Sequence, residues 1–164
     1  MAETSGLLRP PAHRVSPRAP LVWAAWAVLR FAVLAAAGVV VTLVADDFSL
    51  PVWLWVAYAV LAVAYSAAMP TYRYQVHRWE STATAVYTQR GWLSRERRIA
   101  PMSRVQTVDF DQNVIDRVFR LASVTVTTAS AAGPVKIDGL DRHVAEQLVD
   151  ELTRRTEAEA GDAT

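Results

Sequence analysis

The chain has 164 residues, 52% hydrophobic and 20% charged, with a formal net charge of +1 and no cysteine. Disulfides, thiol catalysis and thiolate metal sites are excluded, and so is a global nucleic-acid footprint. The mean hydropathy of +0.15 averages an oily first half and a polar second half, which describes neither.

Residues 1–20, MAETSGLLRPPAHRVSPRAP, are rich in Pro and Arg and read as a disordered cytoplasmic tail. Residues 21–45 and 50–69 are apolar stretches. Each is long enough to cross the ~30 Å hydrocarbon core of a bilayer as a helix. The first carries one charge, Arg30, and the second none. Only Asp46, Asp47, Phe48 and Ser49 separate them, so 21–69 is predicted to be a transmembrane hairpin. The first stretch is a retained anchor; it is too long for a cleavable signal, and a second follows at once. Trp23, Trp26, Trp53, Trp55 and Tyr65 lie near helix ends and read as interface anchors. Arg30 lies about one turn beyond Trp26 and is expected to snorkel to the phosphates; the competing reading is an intramembrane partner carboxylate. Arg9, Arg14 and Arg18 precede the hairpin, Arg73 and Arg78 follow it, and its loop is acidic. Both termini are therefore expected in the cytoplasm, in a multi-pass protein of the cell membrane. Ala35, Ala36, Ala37 and Gly38 on one helix, and Ala57, Ala64, Ala67 and Ala68 on the other, favour close packing of the pair.

Residues 70–157 are predicted to form one folded domain. Pro70 is expected to stop the second helix. Tyr72, Tyr74 and Val76 alternate with Arg73, Gln75 and His77, as in a half-buried strand. Further strands are expected at 84–90, at 92–99 after a Gly91 turn, around Val105, Val108 and Phe110, around Val124 and Val126, and at 135–137. Asn113 is the expected cap of a short helix, 114–120, with Ile115, Val118 and Phe119 as its apolar side. Residues 130–134 read as a turn. Asp141 is the expected cap of a final helix whose stripe is Val144, Ala145, Leu148, Val149 and Leu152, with Glu146, Asp150, Arg154 and Arg155 facing water. Residues 158–164 read as a disordered tail. The fold class is an α+β membrane protein: a helical hairpin, then an antiparallel barrel or sandwich covered by a C-terminal helix.

Charge is uneven along this half. Residues 70–104 hold seven arginines against two glutamates, and 105–164 hold six basic against eleven acidic residues. The segment Arg90, Trp92, Arg95, Arg97 and Arg98 is the candidate contact surface, where each arginine near a cytoplasmic leaflet contributes on the order of 1 kcal/mol toward anionic lipid. The plain alternative is a solvated strand whose Trp92 closes the core. Asp109 and Asp111 share one strand face and read as solvated. His13, His77 and His143 are scattered, with no partner pattern for catalysis. No Gly-rich phosphate loop or zinc spacing occurs. No catalytic residue, metal or cofactor is expected, and the chain reads as no enzyme.

The run SRVQTVDFDQNVIDRVFRLASVTVTT at 103–128, its continuation IDGLDRHVAEQLVDEL, and YTQRGWLSRERRIAPMSRVQ upstream resemble the bacterial pleckstrin-homology-like domain family, formerly a domain of unknown function. The paired helices before the domain are similar to its membrane-anchored branch, so the resemblance covers most of 21–156. It implies a PH-like barrel acting as a scaffold or adaptor at the cytoplasmic leaflet. The implied partners are the lipid bilayer and a membrane protein, another PH-like domain or a second copy. The alternative function is an anionic-lipid-sensing module using 90–98. Arg120 stands where the family usually has Gly, which argues against a left-handed backbone there.

Overall fold

The computed structural model describes residues 9–45, 49–92, 94–129 and 133–162. The expected loop at 46–48, Leu93, the expected turn at 130–132 and the terminal residues 1–8 and 163–164 lie outside these.

Two helices, α1 (Ala19–Val44) and α2 (Val52–Val76), pack as an antiparallel pair, each long and apolar enough to cross a membrane. Phe31 stands edge-on to Tyr58 and Tyr65, and Tyr58 donates its hydroxyl to the Phe31 carbonyl. Gly38 lets Trp55 approach: a Cβ there would come within 2.9 Å of the indole. Pro70 does not stop α2, which runs six residues further. Pro70 removes the amide donor to one carbonyl, that of Ser66, and the loss of a single bond does not end a long apolar helix; Thr71 Oγ1 donates to the adjacent Ala67 carbonyl at 3.0 Å. The alternation at 72–77 is therefore helical rather than extended; three alternations are too few to separate the two periods.

Beyond α2 lie β2 (Arg78–Ser81), β3 (Ala85–Gly91), β4 (Arg95–Pro101), a 3-10 turn (Met102–Arg104), β5 (Val105–Asp111), α3 (Val114–Phe119), β6 (Leu121–Thr128), β7 (Val135–Asp141) and α4 (Arg142–Asp162). A two-residue strand, β1 (His13–Arg14), precedes α1 and pairs with β2. The strands form two antiparallel sheets, β1-β2-β3-β4 and β5-β6-β7, which do not close into a barrel. The domain core lies between them: Val86 and Ala100 of the first sheet, Val124, Val126 and Ile137 of the second, and Ala145, Leu148 and Leu152 of α4.

Residues from Arg9 onward are not a free tail. Arg9 pairs with Glu80, whose other oxygen accepts from the Ala12 amide at 2.9 Å, and Ser16 donates to Asp141 at 2.9 Å. These bonds, with buried Val15 and Ala19, tie the chain to the domain before it enters α1. At the other end α4 continues through the expected tail to Asp162. Arg155, expected in water, reaches back to Ser81 Oγ and the Thr82 carbonyl, which locks α4 to the first sheet.

On α3 the Asn113 cap is made: its Oδ1 accepts from the Asp116 amide at 2.8 Å, and Asp116 returns the bond. Ile115 and Phe119 pack inward as expected, whereas Val118 is 74% exposed. Arg120 adopts the left-handed conformation (φ 55°, ψ 39°), correcting the expectation drawn from its side chain. Its amide still closes on Arg117 and its carbonyl accepts from the Arg142 amide, and these bonds hold a conformation that a Cβ disfavours.

Two outcomes follow. Arg120→Gly is expected to raise the stability of the full chain in detergent by about 1 kcal/mol, read as a higher melting temperature; an unchanged or lower one contradicts the strain. Gly139 has φ 76°, and a Cβ on it would lie 2.7 Å from Ala19 Cβ. Gly139→Ala is expected to cost at least about 2 kcal/mol and, by loosening the backbone around the already exposed Arg14 and Arg18, to speed tryptic cleavage there; a wild-type cleavage rate would show that α1 does not depend on this contact.

Candidate functional site

One residue, His77, connects α2 to β2, so the long helices and the domain meet without a linker. A second apolar cluster fills the meeting place: Val22, Trp23 and Ala27 of α1, Met69 of α2 and Leu121 of β6, with Tyr65, Trp79, Trp92 and Phe119 around it. The Arg73 guanidinium lies 4.4 Å from the centre of the Trp23 ring, and the His77 ring lies 5.0 Å from Trp23 on centroids. A cation over an indole face is attracted by the ring quadrupole.

His77 is buried and held on both nitrogens. Nδ1 faces the Arg73 carbonyl at 2.9 Å and Nε2 accepts from Arg73 Nε at 3.2 Å. A ring that donates through Nδ1 and accepts through Nε2 is the neutral tautomer. Burial, then the neighbouring Arg73 charge, pushes the imidazole down to about 4. Gln89, also buried, donates to the Val76 carbonyl at 3.0 Å and accepts from Arg97 at 2.8 Å, which fastens the last turn of α2 to β3 and β4.

Beside this junction opens a cleft of about 430 Å³. Arg30 comes to it from α1, Tyr65 and Arg73 from α2, Arg90, Trp92 and Glu96 from the β3–β4 hairpin, and Asp138 from β7. Its carboxylates are each held by two cations. Glu96 accepts from Arg90 at 2.9 Å and from Arg98, and those bonds keep its carboxyl below the usual range. Asp138 lies 3.2 Å from Lys136 and 3.8 Å from Arg73. Gly91 makes the hairpin turn possible: its φ is 152°, and a Cβ would overlap the Ser94 carbonyl.

The structure separates the residues singled out in the sequence. Arg90 and Trp92 face the cleft, and Trp92 stands edge-on to Tyr65 and Tyr72 of α2 rather than in the domain core. Arg97 and Arg98 are engaged with Gln89, Glu96 and the Pro134 carbonyl, and Arg95 is exposed. Trp23, at 7% exposure, is buried at the centre of the junction. Trp26 and Trp53 are exposed on their helices, and Trp55 is turned toward Gly38. Arg30 is exposed at the cleft. Asp109 and Asp111 take hydrogen bonds from Thr107 and Thr125 on an exposed strand. Among the described residues no cluster of three His, Asp or Glu side chains is placed to hold a metal ion. Sequence reasoning missed Arg73, His77 and Asp138. A cation flanked by Tyr72 and Tyr74 was the available signal, and it served to orient the hairpin and to suggest a strand.

The neutral His77 sets a pH dependence. Unfolded, the ring protonates near its ordinary ~6.5. Folded, it does so only near 4. Between those values the unfolded chain binds more protons, so this contribution is complete above ~6.5 and is lost as pH falls toward 4. The unfolding midpoint of wild type is expected to drop from pH 7 to pH 5, and His77→Gln, which cannot titrate, is expected to flatten that limb. Parallel curves would place the titration elsewhere.

A family model described as Bacterial PH domain matches residues 19–156. The UPF0699 transmembrane protein YdbS of Bacillus subtilis (strain 168) is 27% identical over 151 residues, covering 88% of this chain and 92% of that protein. No solved structure matches the chain significantly.

Proposed function

The chain belongs to the bacterial PH domain family, and from that premise we propose that it is a membrane-anchored scaffold or adaptor. The hairpin spans the cytoplasmic membrane with both termini inside. The domain is presented at the inner leaflet to a membrane-protein partner, a second PH-like domain or a second copy. The work is positioning and involves no chemistry, cofactor or metal. The observation that carries this reading is the single-residue connection at His77 together with the shared cluster around Trp23. A domain joined in this way cannot swing freely, so its exposed strands keep one orientation to the bilayer. Tethering also converts partner binding into an event at high effective concentration.

Recognition of anionic lipid by the outer arginines of the β3–β4 hairpin draws less support. Arg97 and Arg98 already serve side-chain and carbonyl acceptors within the domain, and Trp92 is spent on α2.

A photo-crosslinking residue at Ile99, exposed on β4, or at Gln147, exposed on α4, distinguishes the two in intact membranes. A discrete protein adduct, identified by mass spectrometry, is expected from at least one position. Adducts to phospholipid alone, or none at either position, would overturn the adaptor reading.

A further inference from the structure

The cleft beside the junction has a composition that scaffolding does not use. We propose that it holds the phosphate of one anionic phospholipid, with the acyl chains lying on the hairpin above it. The inference is independent of any protein partner; it requires only that the hairpin spans the bilayer.

The charges are unbalanced in favour of an anion. Three cations, Arg30, Arg73 and Arg90, line the cleft with two carboxylates, Glu96 and Asp138, and Arg98 and Lys136, outside the lining, also bond those carboxylates. Each carboxylate is held by two of those cations, which leaves the field of the site positive. A guanidinium also carries five N–H donors, so a carboxylate on one edge of Arg73 or Arg90 does not saturate it.

Arg30 makes the strongest demand. It sits on a helix of apolar residues, seven positions beyond the buried Trp23, and among the described residues it meets no carboxylate. An arginine on an apolar helix is costly unless its head reaches water or something anionic. Its exposure to the cleft lets a phosphate come to it without the side chain leaving its place.

The surroundings fit an amphiphile rather than a free ion. Tyr65, Tyr72 and Trp92 gather in edge-on contacts beside the cleft, and such amphipathic rings favour the headgroup level. One helical turn deeper on the same two faces, Leu34 and Leu61 are 54% and 68% exposed. Residues four apart on a helix share a face, so these leucines continue the walls set by Arg30 and Tyr65. Cations below and apolar surface above describe a glycerophospholipid. The volume, about 430 Å³, lies within the range of small-molecule sites.

The test is native mass spectrometry of the full chain in detergent. The added probes are phosphatidylglycerol, phosphatidylcholine with the same acyl chains, and glycerol phosphate. One phosphatidylglycerol is expected to be retained in preference to phosphatidylcholine, and equimolar glycerol phosphate is expected not to displace it. Arg30→Gln, which breaks no ion pair among the described residues, is expected to weaken retention ~10-fold or more, the scale of one charge-assisted contact. Arg95→Gln, outside the cleft, is expected to leave retention unchanged. Wild-type retention in Arg30→Gln would overturn the proposal. So would an equal loss in Arg95→Gln, which would mean diffuse surface charge. Displacement by glycerol phosphate would overturn the lipid as the source of the anion.

Discussion

The stacking of the Arg73 guanidinium on Trp23, with His77 against both, is the contact on which the two halves of the molecule close. Three requirements meet there. The indole is buried at 7% exposure, so its faces need partners. The guanidinium gains from an electron-rich face, because it is partly withdrawn from water. The imidazole must stay neutral, because a second cation touching Arg73 would oppose the first. Each residue satisfies a neighbour's requirement, which is why the junction holds charged and aromatic groups where a purely aliphatic seam would serve for packing alone.

Two further contacts make this junction stiff. The N-terminal segment crosses from the first sheet to β7 before entering α1: Arg9 and Ala12 bond Glu80, and Ser16 bonds both the Gly139 carbonyl and Asp141. The other helix leaves through Gln89, whose amide spans from the last turn of α2 to Arg97 of β4. Both helices are therefore bound to the domain at their ends nearest it, on different elements. A rotation of the domain about the connection at His77 would have to break both sets at once.

What was legible in the sequence was whatever local physics decides. Two long apolar runs, the Asn113 cap three residues before Asp116, and the Ala145, Leu148, Leu152 stripe of α4 all carry their own period or partner within a few residues. What was not legible depends on partners far along the chain. Residues 9–20 have the composition of a disordered tail, and their order comes from Glu80 and Asp141, more than sixty residues away. Arg120 is left-handed because β6 and α4 need its backbone there, and no property of arginine announces it. Pro70 is a helix breaker in water, yet it sits inside α2, which is long enough to continue past one missing bond. At the candidate site the same rule holds. Arg90 and Trp92 were visible as an aromatic, basic turn, whereas Arg73, His77 and Asp138 converge on it from α2, the connection and β7 only through the fold.

The excess of arginine between residues 70 and 104 also takes a different meaning once the fold is known. Counted along the chain, it is a basic surface. Counted in space, β4 is the edge of its sheet, and an edge strand carrying Arg95, Arg97 and Arg98 resists pairing with a stray strand. Two of these side chains also fasten β4 to β3 and to the residues before β7. Edge protection and internal bonding thus account for the outer arginines without a ligand. They do not account for Arg30, which lies on another element, or for the side of Arg73 and Arg90 that looks into the cleft. Once these structural duties are assigned, the end of the hairpin where the domain begins keeps a positive field.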